Sequence, residues 1–416
     1  MASPVRHIAA PLNTLAIRRD FPVLQQDIGA CPLVYFDNAA SSQRPTAVLK
    51  AMDDFYQHDY ANIHRGVHTL SQRATDAFEA ARARVARFLG AQRAEEIIIT
   101  KNATEAFNLL ANSLGGLLQQ GDEVLVSELE HHANLVPWQM AAQRYGLTLQ
   151  KIPITETGTI DPDDVRRRLT SRTKIVAVAH VSNVMGTVVP IREISQLAHA
   201  AGAWMVVDGA QAAPRMAVNV AQLGADFYVV TGHKLYGPSG IGALYGRHDL
   251  LQKMPPWQGG GNMISEVFFD HSTWREPPFR FEAGTPPIAE AIGFAAALDY
   301  LSALSLDAVA AHEDMLLQKA EAMLRTMSSV RVLGAPPHRA GILSLVMDDI
   351  HAHDLGTILD QHGIAVRAGH HCAQPLMQRM GVPATLRVSF GLYNTPDEID
   401  VLENALHDAK KIFGVA

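Results

Sequence analysis

Two stretches carry residue types and spacings that covalent cofactor chemistry requires. Asp208 ends the apolar run WMVVD, inside VVDGAQ, and Lys234 stands just past the next apolar run, FYVVT, inside TGHKLYGPSGIG. In open parallel sheets ligands bind beyond the carboxyl ends of the strands, so both side chains would reach one crevice. A lysine for a Schiff base and an acid for a pyridinium nitrogen suit pyridoxal phosphate. An Asp and a Lys alone would read equally as a salt bridge at a strand edge. Thr231, Gly232 and His233 before the lysine, with Gly237, Gly240 and Gly242 after it, argue for a built site.

Four further groups could serve such a site. Asn102-Ala103-Thr104-Glu105 follows EIIIT and opens the helical pattern AFNLLANSL, and a helix start offers free N–H groups to an anion. An ordinary helix cap would look the same. In SELEHHANLVPW, His131 and His132 lie past the run EVLVS, where a histidine can stack on a cofactor or move a proton. Adjacent histidines rarely face one ion, so no metal site is read there. Cys372, in VRAGHHCAQP, has His370 and His371 beside it and Arg367 upstream; cationic neighbours favour the nucleophilic thiolate, against the alternative of a buried inert thiol. Arg387, in ATLRVSF, could grip a carboxylate with its guanidinium fork or make a surface salt bridge. Cys31, in IGACPLVYF, reads as structural.

The elements that must position these residues alternate. Strand candidates are Glu96–Thr100, Glu123–Ser127, Leu149–Ile154, Ile175–His180, Trp204–Asp208, Phe227–Thr231 and Gly242–Tyr245. Their Val and Ile content suits a mostly parallel seven-stranded sheet buried on both faces. Between them, Asp161-Pro162 marks a helix start, and Leu70, Ala74, Ala77, Phe78, Ala81, Val85 and Leu89 form one apolar helical face. The result is an α/β fold. Past about residue 290 a long helical stretch leads to strand candidates Gly341–Met347 and Leu386–Phe390, read as a smaller α+β domain. The expected division is an N-terminal segment 1–30, a large domain 31–295 and a small domain 296–416. The Pro- and Gly-rich segment Pro255–Pro287 is too long for a simple connection and reads as a functional or interface loop.

Composition narrows the classes. A chain of 416 residues, 48% hydrophobic and 19% charged, can bury a core without staples. Its net charge of −7 disfavours nucleic acid as a partner. Two cysteines make no disulfide framework and suit a reducing, cytoplasmic compartment. No apolar run approaches the roughly 18 residues of a membrane span. The start lacks a secretory h-region; Arg6, Arg18 and Arg19, with no acid before Asp20, make an organellar transit peptide the lesser alternative.

Taken together, YFDNAASSQRP, YANIHRGVHTLS, EHHANLVPW, HVSNVMGT, VDGAQ, TGHKLYGPSGIG, FEAGTP and RAGHHCAQPLM resemble the SufS-type (group II) cysteine desulfurases, class V aminotransferase-like enzymes of fold-type I. The resemblance runs from about Arg18 to the last helix. It implies that Lys234 carries the cofactor, Asp208 faces its ring nitrogen, Gln211 its phenolic oxygen, and His131 stacks on it. Thr104, Thr231 and His233 become phosphate ligands, with Thr285 a phosphate contact from the other subunit of a homodimer. Asn183 and Arg387 become binders of the carboxylate of L-cysteine, and Cys372 the persulfide-forming thiol. His64 and Arg367 fall in active-site segments. A short loop around Cys372 implies a SufE-like or SufU-like sulfur acceptor in iron–sulfur cluster assembly. The competing readings are a selenocysteine lyase, a class V aminotransferase, and a non-catalytic partner in sulfur transfer.

Overall fold

The computed structural model describes residues 12–415. The transit-peptide reading rests largely on residues 1–11, which lie outside that range. The larger unit is built on seven strands: β1 (Ile97–Thr100), β2 (Glu123–Ser127), β3 (Thr148–Ile152), β4 (Thr173–Ala179), β5 (Trp204–Asp208), β6 (Phe227–Thr231) and β7 (Gly242–Gly246). Their order is β1-β7-β6-β5-β4-β2-β3. Strand β7 is antiparallel to both neighbours and every other pairing is parallel. These are the strands expected from the sequence, with small shifts at their ends. Strands β1, β2, β6 and β7 are buried throughout, as their Val- and Ile-rich runs require. β3, with Thr148, Gln150 and Lys151 exposed, is one edge of the sheet and β1 the other.

Helices start where the caps say. Asn102 accepts from Glu105 N at 2.9 Å to open Ala103–Gly115, and Asp161 accepts from Asp163 N at 2.9 Å to open Pro162–Arg168. The expected apolar face lies on Thr69–Leu89, where Ala74, Phe78, Ala81, Val85 and Leu89 are buried. Leu70 is exposed in the first turn and Ala77 is half-buried.

The domain border differs from the sequence expectation in two ways. Helix Ile288–Ala303 runs unbroken through residue 295 and packs on Thr46–His58 and Thr69–Leu89 of the large unit. The change in sequence pattern near 290 marks a helix apolar on nearly every side, and the chain leaves the large unit only at Leu304. The small unit is a four-stranded antiparallel sheet of β8 (Val330–Val332), β9 (Ile342–Met347), β10 (Arg367–Gly369) and β11 (Thr385–Ser389), in the order β8-β9-β11-β10. Val34 and Phe36, expected in the large domain, belong to its core instead. Val34–Tyr35 pairs in parallel with Ile364–Ala365, which carries Asp37 to an isolated bridge with Ser389 beside Arg387. Among the described residues no single helix is long and apolar enough to cross a membrane.

Candidate active site

The carboxyl ends of β2, β4, β5 and β6 and the far sheet β8–β11 converge on one cleft. At its floor Asp208, 8% exposed, ends β5 and accepts from Ala210 N at 2.9 Å. Burial raises its pKa, and the positive charge of Lys234 partly offsets this. Lys234 sits in the single turn Gly232–Lys234 after β6. That turn is fastened from the small-unit side: His233 O accepts from Ser42 N at 2.9 Å and Ser42 Oγ at 3.1 Å. Burial lowers the Lys234 amine to about 8 against the opposing pull of Asp208, and Arg387 and Arg215 lower it further. Near neutrality such an amine holds and releases a proton readily.

The surrounding groups fit pyridoxal phosphate. Thr231 Oγ1 is buried with no hydrogen-bond partner, a free donor at the head of the Lys234 turn. Gln211 donates through Nε2 to Ala39 O at 2.6 Å and its Oε1 accepts from Arg215 Nη1 at 3.3 Å, leaving one amide hydrogen free. His131 Nδ1 accepts from Ala133 N at 3.0 Å, which places its proton on Nε2. Burial, then the charge of Lys234, brings His131 down to about 3, so it is a neutral ring. His233 is likewise lowered to about 4, first by burial and then by Lys234. Bound there, the cofactor would supply an electron sink for charge developing at the substrate's Cα.

Opposite the lysine, Arg387 is 2% exposed on β11. Its Nη1 donates to Asn183 O at 3.0 Å and its Nη2 to Asp37 Oδ1 at 3.1 Å, while its Nε is buried without a partner. The free Nε leaves a donor for a carboxylate. Asp37 also meets Arg367, Nε to Oδ2 at 3.3 Å, so one carboxylate fixes both arginines. Asn183 Nδ2 donates to His371 O at 2.7 Å, tying it to the cysteine loop as well as the substrate side.

Cys372 is exposed on that loop. His371 and Cys372 both have φ of 53°, a left-handed pair in non-glycine residues that surrounding contacts must hold. The expected help from cationic histidines is corrected at His371. This ring is buried, accepts or donates at Thr385 Oγ1 over 2.7 Å, and is lowered to about 3 by burial and then by Arg387. It therefore adds no positive charge beside the thiol.

Among the described residues, Thr104, Thr285 and His64 share no hydrogen bond with the groups around Lys234. Thr104 is exposed at the start of Ala103–Gly115. Thr285 is exposed and lines a small cavity of about 160 Å³ with Asn62, Arg65 and Asn262. His64 hydrogen-bonds Glu79 Oε1 at 2.9 Å and packs edge-on against Phe78 and Phe279. Asp37, Ser42 and Arg215 were not singled out from the sequence, and His132 was named there without its partners on the cysteine loop. Asp37 and Ser42 stand inside YFDNAASSQRP, so their motif was visible but not their partners.

Residues 34–402 match the aminotransferase class-V family. The chain is 52% identical over 416 residues to the cysteine desulfurase of Dickeya dadantii (strain 3937), covering 100% of each. It is 49% identical over 404 residues to a probable cysteine desulfurase of Halalkalibacterium halodurans, covering 97% of this chain and 99% of the other. The apo cysteine desulfurase of Thermococcus onnurineus NA1 superposes with a TM-score of 0.91 at 40% identity, over 95% of this chain and 98% of that one. The Escherichia coli cysteine desulfurase CsdA, as its S-sulfonic acid, gives 0.90 at 40% identity over 96% and 99%. With its lysine–aspartate floor and its cysteine loop, the chain belongs to the class V aminotransferase family, as one of its pyridoxal-phosphate-dependent cysteine desulfurases.

Proposed function

We propose that the chain moves the sulfur of L-cysteine onto Cys372 as a persulfide, releases L-alanine, and passes the sulfur to a SufE-like or SufU-like acceptor for iron–sulfur cluster assembly. The exchange balances without an added oxidant. The substrate's Cβ–S bond breaks, an S–S bond forms on Cys372, and the thiol proton of Cys372 is matched by the new C–H bond of alanine. Sulfur is oxidised as carbon is reduced.

The observation that carries the reading is that Cys372 lies close enough to Lys234 to influence its amine electrostatically, on a loop pinned by Asn183 and by the turn after β2. Arg387, with its free Nε, takes the substrate carboxylate, and Asn183 and Arg367 line the same side. Lys234 takes the Cα proton and returns a proton to carbon. Asp208 faces the ring nitrogen, His131 stacks, and Gln211, Thr104, Thr231 and His233 hold the remaining polar groups of the cofactor. Thr285 acts from the second copy of a homodimer, and His64 belongs with the substrate-side residues. Support for a dimer comes from Val67 and Phe269, 104% and 109% exposed in the single chain, on the two segments that also carry His64 and lead to Thr285. Two free cysteines suit the reducing cytoplasm.

The test is Cys372→Ala. Alanine formation should fall by roughly a hundredfold or more while the cofactor spectrum and its response to L-cysteine persist. Cys31→Ala should leave the rate unchanged. Alanine and sulfide released at wild-type rates by Cys372→Ala would remove the persulfide role. Turnover of L-selenocysteine far above that of L-cysteine would favour the lyase reading.

A further inference from the structure

The pair His131-His132 contributes one ring to the cofactor site and one that no role yet uses. His132 lies half-buried at the start of the short turn His132–Asn134 after β2. It touches the cysteine loop twice. Its backbone N–H donates to Cys372 O at 2.7 Å, and its Nε2 accepts from Gln374 N at 3.0 Å. The two bonds hold the carbonyl of Cys372 and the amide two residues further on. Because Nε2 accepts, the His132 proton sits on Nδ1, the opposite tautomer to His131. Asn183 Nδ2 adds a third bond, to His371 O at 2.7 Å.

The loop needs this restraint. His371 and Cys372 are consecutive residues at φ of 53°, a conformation that residues other than glycine adopt only when contacts hold them. Gln374 opens the helix Gln374–Arg379, so its N–H has no partner within that helix. The helix's far end is tied separately: Arg379 Nη2 donates to Ile154 O at 3.3 Å and its Nε lies 3.7 Å from Glu128. The nucleophile's helix is therefore moored to the large unit at both ends, and the end next to the thiol is held by His132.

We infer that His132 is a positioning residue for the sulfur-accepting thiol, clamping the Cys372 loop over the cleft through its backbone N–H and its imidazole Nε2. This deepens the function proposed above and rests on it. The clamp holds the thiol at the substrate sulfur during capture, and opening it is the motion that lets a persulfide on Cys372 meet an acceptor. Burial, then the nearby His370, lowers the His132 pKa, which keeps Nε2 available as an acceptor. Arg387 grips the other end of the substrate, so the clamp acts on the rate of sulfur capture rather than on substrate binding.

The test compares His132→Leu, which fills the space without an acceptor, with His132→Gln, whose amide oxygen can take the place of Nε2. Two readouts are used: hydrogen exchange of the peptide spanning residues 372–376 in the holoenzyme without substrate, and the single-turnover burst of alanine with its dependence on L-cysteine. His132→Leu should exchange about tenfold faster and burst about tenfold slower, as expected for one lost hydrogen bond of about 1.4 kcal/mol, with KM for L-cysteine unchanged. His132→Gln should restore both. Unchanged exchange, faster exchange with a normal burst, or a His132→Gln burst as slow as that of His132→Leu overturns the clamp. If His132→Leu does not fold, Gln374→Pro removes the same bond from its donor side, at a first helical position, and carries the same expectation for the burst. Cys372→Ala that keeps full desulfuration would sink the persulfide reading while the exchange comparison still reports the clamp, so the two fail separately.

Discussion

At the scale of single residues, the site works by setting protonation states through burial and neighbours. Lys234 shows this most directly. An ordinary lysine amine titrates near 10.5, and burial among Arg387 and Arg215 brings this one to about 8. The neutral amine is the form that attacks a carbonyl carbon. Protein stripped of cofactor should therefore form the borohydride-reducible Lys234 link faster as pH rises, with the rate climbing until about pH 8 and levelling above it. Stopped-flow absorbance during reconstitution measures this. A rate still rising tenfold per pH unit at pH 9 would mean that the lysine is not lowered. His371 is held neutral rather than cationic as its place beside Cys372 suggested, and the stacking ring His131 is neutral as well. Both are neutral because burial and positive neighbours oppose a second charge.

At the scale of elements, strand ends and turns do the positioning, and close backbone approach sets their limits. Strand β7 passes directly under the turn that opens Ala103–Gly115. A Cβ on Gly242 would lie 2.9 Å from Asn102 Cα and 2.9 Å from Val230 O, both backbone atoms that cannot move aside alone. Gly242→Ala should cost about 1–3 kcal/mol of stability through overpacking and should weaken cofactor binding, because the Asn102–Glu105 turn must shift. Thermal melting of the cofactor-free protein and a cofactor titration measure the two effects. A melting temperature and affinity equal to wild type would show that the strand can slide away freely. The Cys372 loop shows the same logic at a turn, with its left-handed residues stable only while groups from the other unit hold them.

At the scale of the molecule, the cleft is a joint between two units tied by buried charge. Arg387 donates across it to Asn183 O at 3.0 Å, and Arg215 Nε lies 3.0 Å from Glu313. Buried titratable groups make the protein's stability depend on pH in opposing senses. Glu130 is raised to about 8 and Glu313 to about 7 by burial, which favours the fold as pH falls. His180, lowered to about 4 by burial, acts against it. Its unfolded form takes up a proton below about 6.5 while its folded form does not until about 4, so its contribution is full above 6.5 and lost as pH falls. His180→Asn keeps a polar atom near the position of Nδ1, which lies 2.9 Å from Tyr228 Oη. Between pH 7 and pH 5 wild type should lose about 2 kcal/mol relative to this variant, from about 1.4 kcal/mol per pH unit. Urea unfolding at both pH values checks it, and parallel stability curves would sink it.

What the sequence alone determined is what neighbours along the chain decide. Apolar runs, caps at Asn102 and Asp161, and the placement of Asp208 and Lys234 at strand ends follow from periodicity and local hydrogen bonding over a few residues. The tertiary structure decided everything that needs distant segments to meet. Asp37 joins Arg387 and Arg367 because Val34–Tyr35 pairs with Ile364–Ala365 and so brings Asp37 to a bridge with Ser389. His132 meets Gln374, and Ser42 fastens His233, across gaps in sequence that no periodicity reports. The border at residue 295 failed because an apolar helix looks alike in either unit, and only its packing partners assign it. The charge on His371 was misread for the same reason: burial and a neighbouring guanidinium are properties of the folded site, and they outweigh the residue's intrinsic tendency to ionise.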